Sequence, residues 1–106
     1  MKNMNMELFE KLAMNGDMPV LVEFWAPWCV YCRRIIPAMK KIAQQYEGRL
    51  IVGQVNIDEE PVLAEKERIE VIPTLVIYHK GEALGSIVAP ESKARIEEFI
   101  QETLGL

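Results

Sequence analysis

Residues 25–32 read WAPWCVYC and place the only two cysteines of this 106-residue chain, Cys29 and Cys32, three positions apart. An apolar run, VLVEFW at 20–25, precedes them, as expected for a strand that is covered on both faces. Apolar residues then recur at spacings of three and four, which predicts a long helix over 33–46. Two thiols at the start of a helix can close a disulfide and reopen it, so this stretch indicates redox chemistry without a cofactor.

Length and composition exclude several classes of protein. A chain of 106 residues predicts one domain, 1–106, that is large enough for a hydrophobic core. Half of the residues are hydrophobic and 26% are charged, which is typical of a globular protein. The net charge of −4 argues against nucleic acid as a partner, because phosphates would be repelled.

No apolar stretch approaches the roughly 20 residues of a membrane-spanning helix, so no membrane partner is expected. The N-terminal residues MKNMNME contain no unbroken apolar segment, which predicts no secretory signal and a cytoplasmic location. In that compartment a lone Cys-x-x-Cys is more often catalytic or metal-binding than a structural disulfide. A zinc site would need two further ligands, and because His79 is the only histidine, no metal is expected.

Alternating helix and strand patterns outline the rest of the chain. Helices are predicted over 8–13, over 33–46 with a kink at Pro37, over 61–68, and after Ser92, which can cap the last one. Strands are predicted over 20–25, 50–57, 74–79 and 83–88, the last two joined in a hairpin by HKGE at 79–82. This order predicts an α/β fold with a mixed central β-sheet and helices on both faces.

The motif and this element order together resemble the thioredoxin family over about 20–104. The resemblance is carried by EFWAPWC at 23–29, Cys32, Pro37, VNID at 55–58, IPT at 72–74 and KGE at 80–82. It implies the thioredoxin fold, here with a short N-terminal strand or none, and reversible exchange that reduces protein disulfides. It implies no cofactor beyond the Cys29–Cys32 pair, and electrons from a thioredoxin reductase-type donor. A monomer is the default oligomeric state.

Carried over residue by residue, the resemblance makes Cys29 the attacking thiol and Cys32 the resolving thiol. The amides and dipole at a helix start favour negative charge, so the pKa of the Cys29 thiol is expected below its usual value of about 8.5. The resemblance also places Pro73 beside the disulfide in a cis peptide bond, although X-Pro bonds are mostly trans.

Glu23 is the one charged residue in the strand predicted over 20–25. The family usually has an aspartate here that moves protons to and from the second cysteine, so the resemblance adds Glu23 to the catalytic residues. Burial without a partner would raise the pKa of this carboxyl. The family's nearby lysine is replaced by Gln54, which predicts a still higher pKa. The alternative left open is that the carboxylate reaches water from the strand.

An apolar surface for protein substrates is expected around the disulfide. Its predicted members are Trp28, Val30, Tyr31, Ile72, Pro73, Val88 and Ala89.

Two pairs of residues depart from the family's usual pattern. Val30-Tyr31 stands where thioredoxins have Gly-Pro, and the amide of Tyr31 is expected to lie next to the Cys29 sulfur, which favours a more oxidising disulfide. Ala89-Pro90 replaces a glycine-alanine pair, which predicts weaker docking of a standard thioredoxin reductase. An oxidase or isomerase of the same fold, and a binding module without catalysis, remain as alternatives.

Overall fold

A five-stranded mixed sheet organises the chain, which a computed structural model describes over residues 1–106. The strands are β1 (Lys2–Asn3), β2 (Val20–Trp25), β3 (Ile51–Asn56), β4 (Thr74–His79) and β5 (Glu82–Val88). Their spatial order is β1-β3-β2-β4-β5, in which β1, β3 and β2 are parallel and β4 runs antiparallel to β2 and β5. The mixed sheet is confirmed, and the N-terminal strand is the minimal one that was expected.

Helices cover both faces of this sheet. They are α1 (Met6–Phe9), α2 (Val30–Arg34), α3 (Ile36–Gln45), α4 (Pro61–Lys66) and α5 (Lys93–Leu104). The chain continues from α1 into a wider π-type segment over Glu10–Met14, where the Asn15 amide donates to the Glu10 carbonyl at 3.0 Å. The last helix starts as predicted, because the Ser92 hydroxyl accepts a hydrogen bond from the Arg95 amide at 3.1 Å.

The single long helix predicted over 33–46 is wrong in two respects. Helix α2 begins at Val30, three residues before the predicted start, and Cys29 stands at its N-terminus as expected. The helix then breaks at Ile35 and restarts as α3, with Pro37 in the first turn. Proline has no amide hydrogen to donate to the preceding turn, and it is tolerated where a helix starts. The predicted kink is therefore a full break between two helices.

The two faces of the sheet carry separate apolar clusters. On the α3 face, α3 and α5 pack over residues such as Leu21 and Ile77. On the α1 face, α1 and α4 pack over residues such as Val22 and Phe24. Successive residues of β2 thus point to opposite faces, which explains why the whole strand is apolar except at Glu23.

The strand register brings three chain segments to one edge of the sheet. Phe24 of β2 pairs with Thr74 of β4, and Thr74 pairs with Val88 of β5. The residues that follow β2, precede β4 and follow β5 therefore emerge at the same edge. These are the segments that contain the Cys-x-x-Cys motif, Pro73 and Ala89.

Candidate active site

Cys29 caps the N-terminus of α2. Its backbone is extended (φ −84°, ψ 105°), and its Sγ accepts a hydrogen bond from the amide of Cys32 at 3.2 Å. Serine or aspartate oxygens usually make this contact at helix starts. The sulfur of Cys29 therefore faces the free amides and the positive end of the helix dipole, which stabilise negative charge.

The two cysteines form a disulfide, with Cα atoms 5.3 Å apart. Cys29 is half-buried, whereas Cys32 has no exposed surface. A sulfur from another molecule can therefore approach Cys29 but not Cys32. This asymmetry distinguishes the two thiols chemically.

Pro73 lies at the same edge of the sheet, at the start of β4. The Ile72–Pro73 peptide bond is cis, as the sequence resemblance implied. Pro73 is buried, and its carbonyl accepts a hydrogen bond from the Ala89 amide at 2.9 Å. Ile72 is half-buried beside it. The loops before β4 and after β5 are thus joined directly.

Three of the predicted surface residues are more than half exposed: Trp28 (66%), Val30 (53%) and Val88 (55%). Val71, which is not among the predicted surface residues, is also 52% exposed and adjoins Ile72. Its position next to the Ile-Pro-Thr motif was the available signal. Large apolar side chains are therefore exposed to water at the edge of the sheet where the disulfide lies.

The indole of Trp28 has a fixed orientation despite its exposure. Its Nε1 donates to a carboxylate oxygen of Asp58 at 2.9 Å. Asp58 lies in the loop after β3, and its own amide donates to the Asn56 side chain at 2.9 Å. These two hydrogen bonds orient the indole of Trp28, the residue that directly precedes Cys29 in sequence.

Glu23 is fully buried, and neither of its carboxylate oxygens has a hydrogen-bond partner. The possibility that its carboxylate reaches water is therefore excluded. Its neighbours in register are Gln54 on β3 and Leu75 on β4. Burial raises the pKa of Glu23 from its usual 4.5 to about 8. The carboxyl group is therefore protonated at neutral pH.

Gln54 lies beside Glu23 on β3, at the position where the family that the sequence resembles has a lysine. It is 9% exposed, and its Oε1 has no hydrogen-bond partner. A neutral amide does not offset a buried negative charge as an ammonium group would. Gln54 therefore leaves the neutral form of Glu23 favoured.

No group of three or more His, Cys, Asp or Glu side chains is placed to hold a metal ion. His79, the only histidine, lies at the end of β4, and its Nε2 contacts the Asp17 carbonyl at 3.1 Å. Among the helices, none is long and apolar enough to cross a membrane.

Comparison with known proteins identifies the family of the chain. The family model described as Thioredoxin matches residues 1–102 of the chain. The chain belongs to the thioredoxin family. It is 41% identical to thioredoxin 1 of Nostoc sp. over 96 residues, which cover 91% of this chain and 90% of that protein.

Other thioredoxins match to a similar extent. The chain is 38% identical over 96 residues to the thioredoxin of Synechocystis sp., which covers 91% of this chain and 90% of that protein. It is 37% identical over 94 residues to the thioredoxin of Porphyra purpurea, covering 89% and 88%. As a thioredoxin-family protein with an intact Cys-x-x-Cys pair, the chain is a thiol–disulfide oxidoreductase that reduces protein disulfides. This reaction uses the intrinsic disulfide and requires no cofactor.

Within this thioredoxin family member, Tyr31 is placed differently from the expectation. The hydrogen bond to the Cys29 sulfur comes from the amide of Cys32 rather than from that of Tyr31. A capping side chain bonds the second or third amide of the helix, and here the third is the one in line. No hydrogen bond from the Tyr31 amide to the Cys29 sulfur is therefore present to favour a more oxidising disulfide.

The side chain of Tyr31 is also turned away from the exposed surface. It is half-buried, packs against the apolar cluster of the α3 face, and donates its hydroxyl to the Pro90 carbonyl at 2.8 Å. Ala89, the neighbour of Pro90, is half-buried and has a positive φ of 44°. Glycine is common in that conformation, and a methyl group there is strained.

Proposed function

We propose that Cys29 is the attacking thiolate and Cys32 the resolving thiol in the reduction of protein disulfides. The difference in exposure between the two cysteines is the observation that carries this assignment. The helix start adds to it, since the amide that reaches the Cys29 sulfur stabilises the thiolate.

The reaction then takes two exchange steps. The Cys29 thiolate attacks one sulfur of a substrate disulfide, forms a mixed disulfide with it and releases the other substrate sulfur as a thiolate. Cys32 loses its proton and attacks the Cys29 sulfur, which closes the Cys29–Cys32 disulfide and releases the second substrate thiolate. The substrate gains two electrons, and the protein loses two.

Substitution of each cysteine tests this order. Cys32→Ser is expected to accumulate a mixed disulfide between Cys29 and insulin, because the resolving step is missing. Cys29→Ser is expected to form no such adduct and to lose insulin reduction with dithiothreitol. An adduct formed by Cys29→Ser through Cys32 would reverse the assignment.

We further propose that Glu23 exchanges a proton with Cys32. Glu23 lies on the β2 face that is covered by α3, and Cys32 is buried in the helix that leads into α3. A carboxyl with a pKa of about 8 is protonated at pH 6, where it can donate to the departing sulfur of Cys32 when the disulfide is reduced.

The test compares rates at two pH values. Glu23→Gln, and likewise Glu23→Ala, is expected to slow reduction of the Cys29–Cys32 disulfide by dithiothreitol more at pH 6 than at pH 9. Comparison with wild type at each pH cancels the ionisation of dithiothreitol itself. Equal slowing at both pH values would remove Glu23 as the proton carrier.

Protein substrates are proposed to bind over the exposed apolar residues at this edge. Trp28, Val30 and Val88 supply the surface, and the backbone of Ile72 beside Pro73 is available to an extended substrate segment. Tyr31 and Ala89 form the wall of this surface rather than its exposed part.

The setting of the reaction is proposed on chemical grounds. A reductase-type electron donor is proposed, because the disulfide formed in each reaction must be reduced again. A cytoplasmic location is also proposed, because that compartment is reducing. A monomer of one domain over 1–106 is proposed. One edge strand, β1, has only two residues, and the other, β5, has an irregular register opposite Ile77, so neither edge favours pairing with a second chain. Gel filtration tests the oligomeric state.

A further inference from the structure

Tyr31, one of the two residues between the active-site cysteines, is hydrogen-bonded to a loop far away in sequence. The hydroxyl of Tyr31 donates to the carbonyl of Pro90 at 2.8 Å, across 59 sequence positions. Pro90 is buried, and the ring of Tyr31 packs against the apolar cluster of the α3 face. Both partners of this bond are therefore anchored.

The loop that Tyr31 contacts, residues 88–91, is held in an unfavourable backbone conformation. Ala89 has a φ of 44°, in the left-handed region that non-glycine residues rarely adopt. On one side its amide is bonded to the Pro73 carbonyl at 2.9 Å. On the other side the Tyr31 hydroxyl holds the next residue, Pro90. These two bonds together fix the shape of the loop.

We propose that Tyr31 is a positioning residue, which holds the 88–91 loop in the shape that protein substrates meet. The inference rests on the proposed substrate surface, of which Val88 is the exposed member in this loop. A loop that is already ordered loses little conformational entropy when a substrate binds. The Tyr31–Pro90 bond therefore favours binding of substrates that extend to Val88.

The Tyr31–Pro90 hydrogen bond involves neither of the two reacting sulfur atoms. The hydroxyl of Tyr31 is engaged with Pro90, and the amide that bonds the Cys29 sulfur belongs to Cys32. Loss of the hydroxyl should therefore act on substrate affinity rather than on the exchange step. It should also act more on a protein than on a small disulfide that ends near Cys29.

Steady-state kinetics of Tyr31→Phe test the proposal with two substrates, insulin and the small aromatic disulfide dithiobis(nitrobenzoate). Tyr31→Phe is expected to raise KM for insulin roughly threefold to tenfold, as loss of one hydrogen bond implies, with kcat within twofold of wild type. The fall in kcat/KM is expected to be at least threefold larger for insulin than for the small disulfide. Tyr46→Phe, at the far end of α3, is the matched control and should behave as wild type.

Two results would overturn the proposal. One is a KM for insulin within twofold of wild type, and the other is an equal loss on both substrates, which a general structural defect would cause. A thermal unfolding midpoint measured for both Tyr→Phe variants identifies such a defect. Trapping of insulin by Cys32→Ser is independent of this bond, so failure of the positioning role leaves the proposed function separately testable.

Discussion

Glu23 and Tyr78 are ionisable side chains buried on opposite faces of the sheet, and they are accommodated differently. On the α1 face, the hydroxyl of Tyr78 donates to a carboxylate oxygen of Glu67 at 2.7 Å. Burial, together with this bond to Glu67, holds the pKa of Tyr78 well above its usual range, so the phenol stays neutral. On the α3 face, Glu23 is equally buried but has no partner at all.

The difference separates a buried polar group with a hydrogen-bond partner from one without. A buried group that serves only stability normally has its hydrogen bonds satisfied, as Tyr78 does. An unpaired carboxyl destabilises the fold whenever it ionises, and groups with such shifted pKa values concentrate where protons are transferred. This contrast supports the proposed proton exchange between Glu23 and Cys32, because Glu23 lies on the face of the sheet that α3 covers and Cys32 lies in the helix that leads into α3.

The largest predicted effect concerns the ionisation of Glu23. Between its unfolded pKa near 4.5 and its folded pKa of about 8, the native protein holds this proton more tightly than the unfolded chain. The free energy of unfolding therefore falls as the pH rises through this window, by roughly 3–5 kcal/mol from this group. In Glu23→Gln the free energy of unfolding is expected not to show this decrease. Urea denaturation of the oxidised protein at pH 4, 6, 8 and 9 measures it.

Glu47→Gln is the control for this measurement, since it removes an exposed carboxylate in the turn that follows α3. It should keep the pH dependence of the wild type. Parallel curves for wild type and Glu23→Gln would show that Glu23 ionises in the folded protein as it does in water.

A smaller effect is predicted for a cation at position 54. Gln54→Lys would place an ammonium group beside Glu23 on the adjacent strand, which stabilises the carboxylate. The pKa of Glu23 is expected to fall by roughly one to three pH units. Titration of the Glu23 carboxyl carbon by NMR measures it. Gln54→Met, similar in length and uncharged, should leave the pKa high, and a fall in that variant as well would assign the effect to repacking.

The smallest effect is predicted on the opposite face. Tyr78→Phe removes the hydroxyl that donates to Glu67, and the free energy of unfolding is expected to decrease by about 1–2 kcal/mol. Because the phenol is neutral throughout, this decrease should be the same at pH 5 and pH 8. A decrease that changes between these two pH values would remove the contrast drawn between Tyr78 and Glu23.

Local sequence patterns predicted the elements that local rules determine. The apolar run at 20–25 gave the bounds of β2, and the Ser92 hydroxyl caps α5 as its position indicated. The hairpin between β4 and β5 turns through Lys80 and Gly81, which both have positive φ values, 52° and 81°. Each of these features depends on neighbours within a few residues.

Features that the spacing of apolar residues does not encode were not predictable in this way. The position of the break at Ile35 depends on which turn accommodates Pro37, and the pattern of apolar residues continues unchanged across it. The Tyr31–Pro90 bond joins residues 59 positions apart, and no local periodicity encodes such a pairing. The missing partner of Glu23 could be suspected from its apolar neighbours, but only the packed structure shows that no donor reaches it.

The short spacing of the two cysteines has a consequence for repeated turnover. Their disulfide closes a loop with a sequence separation of only 3, so by chain entropy it restricts the unfolded state little, contributing about 2 kcal/mol. The two apolar clusters join residues from the whole length of the chain and contain neither cysteine, so their packing does not include the disulfide. The protein can therefore accept and donate electrons many times without its architecture depending on the bond that it breaks.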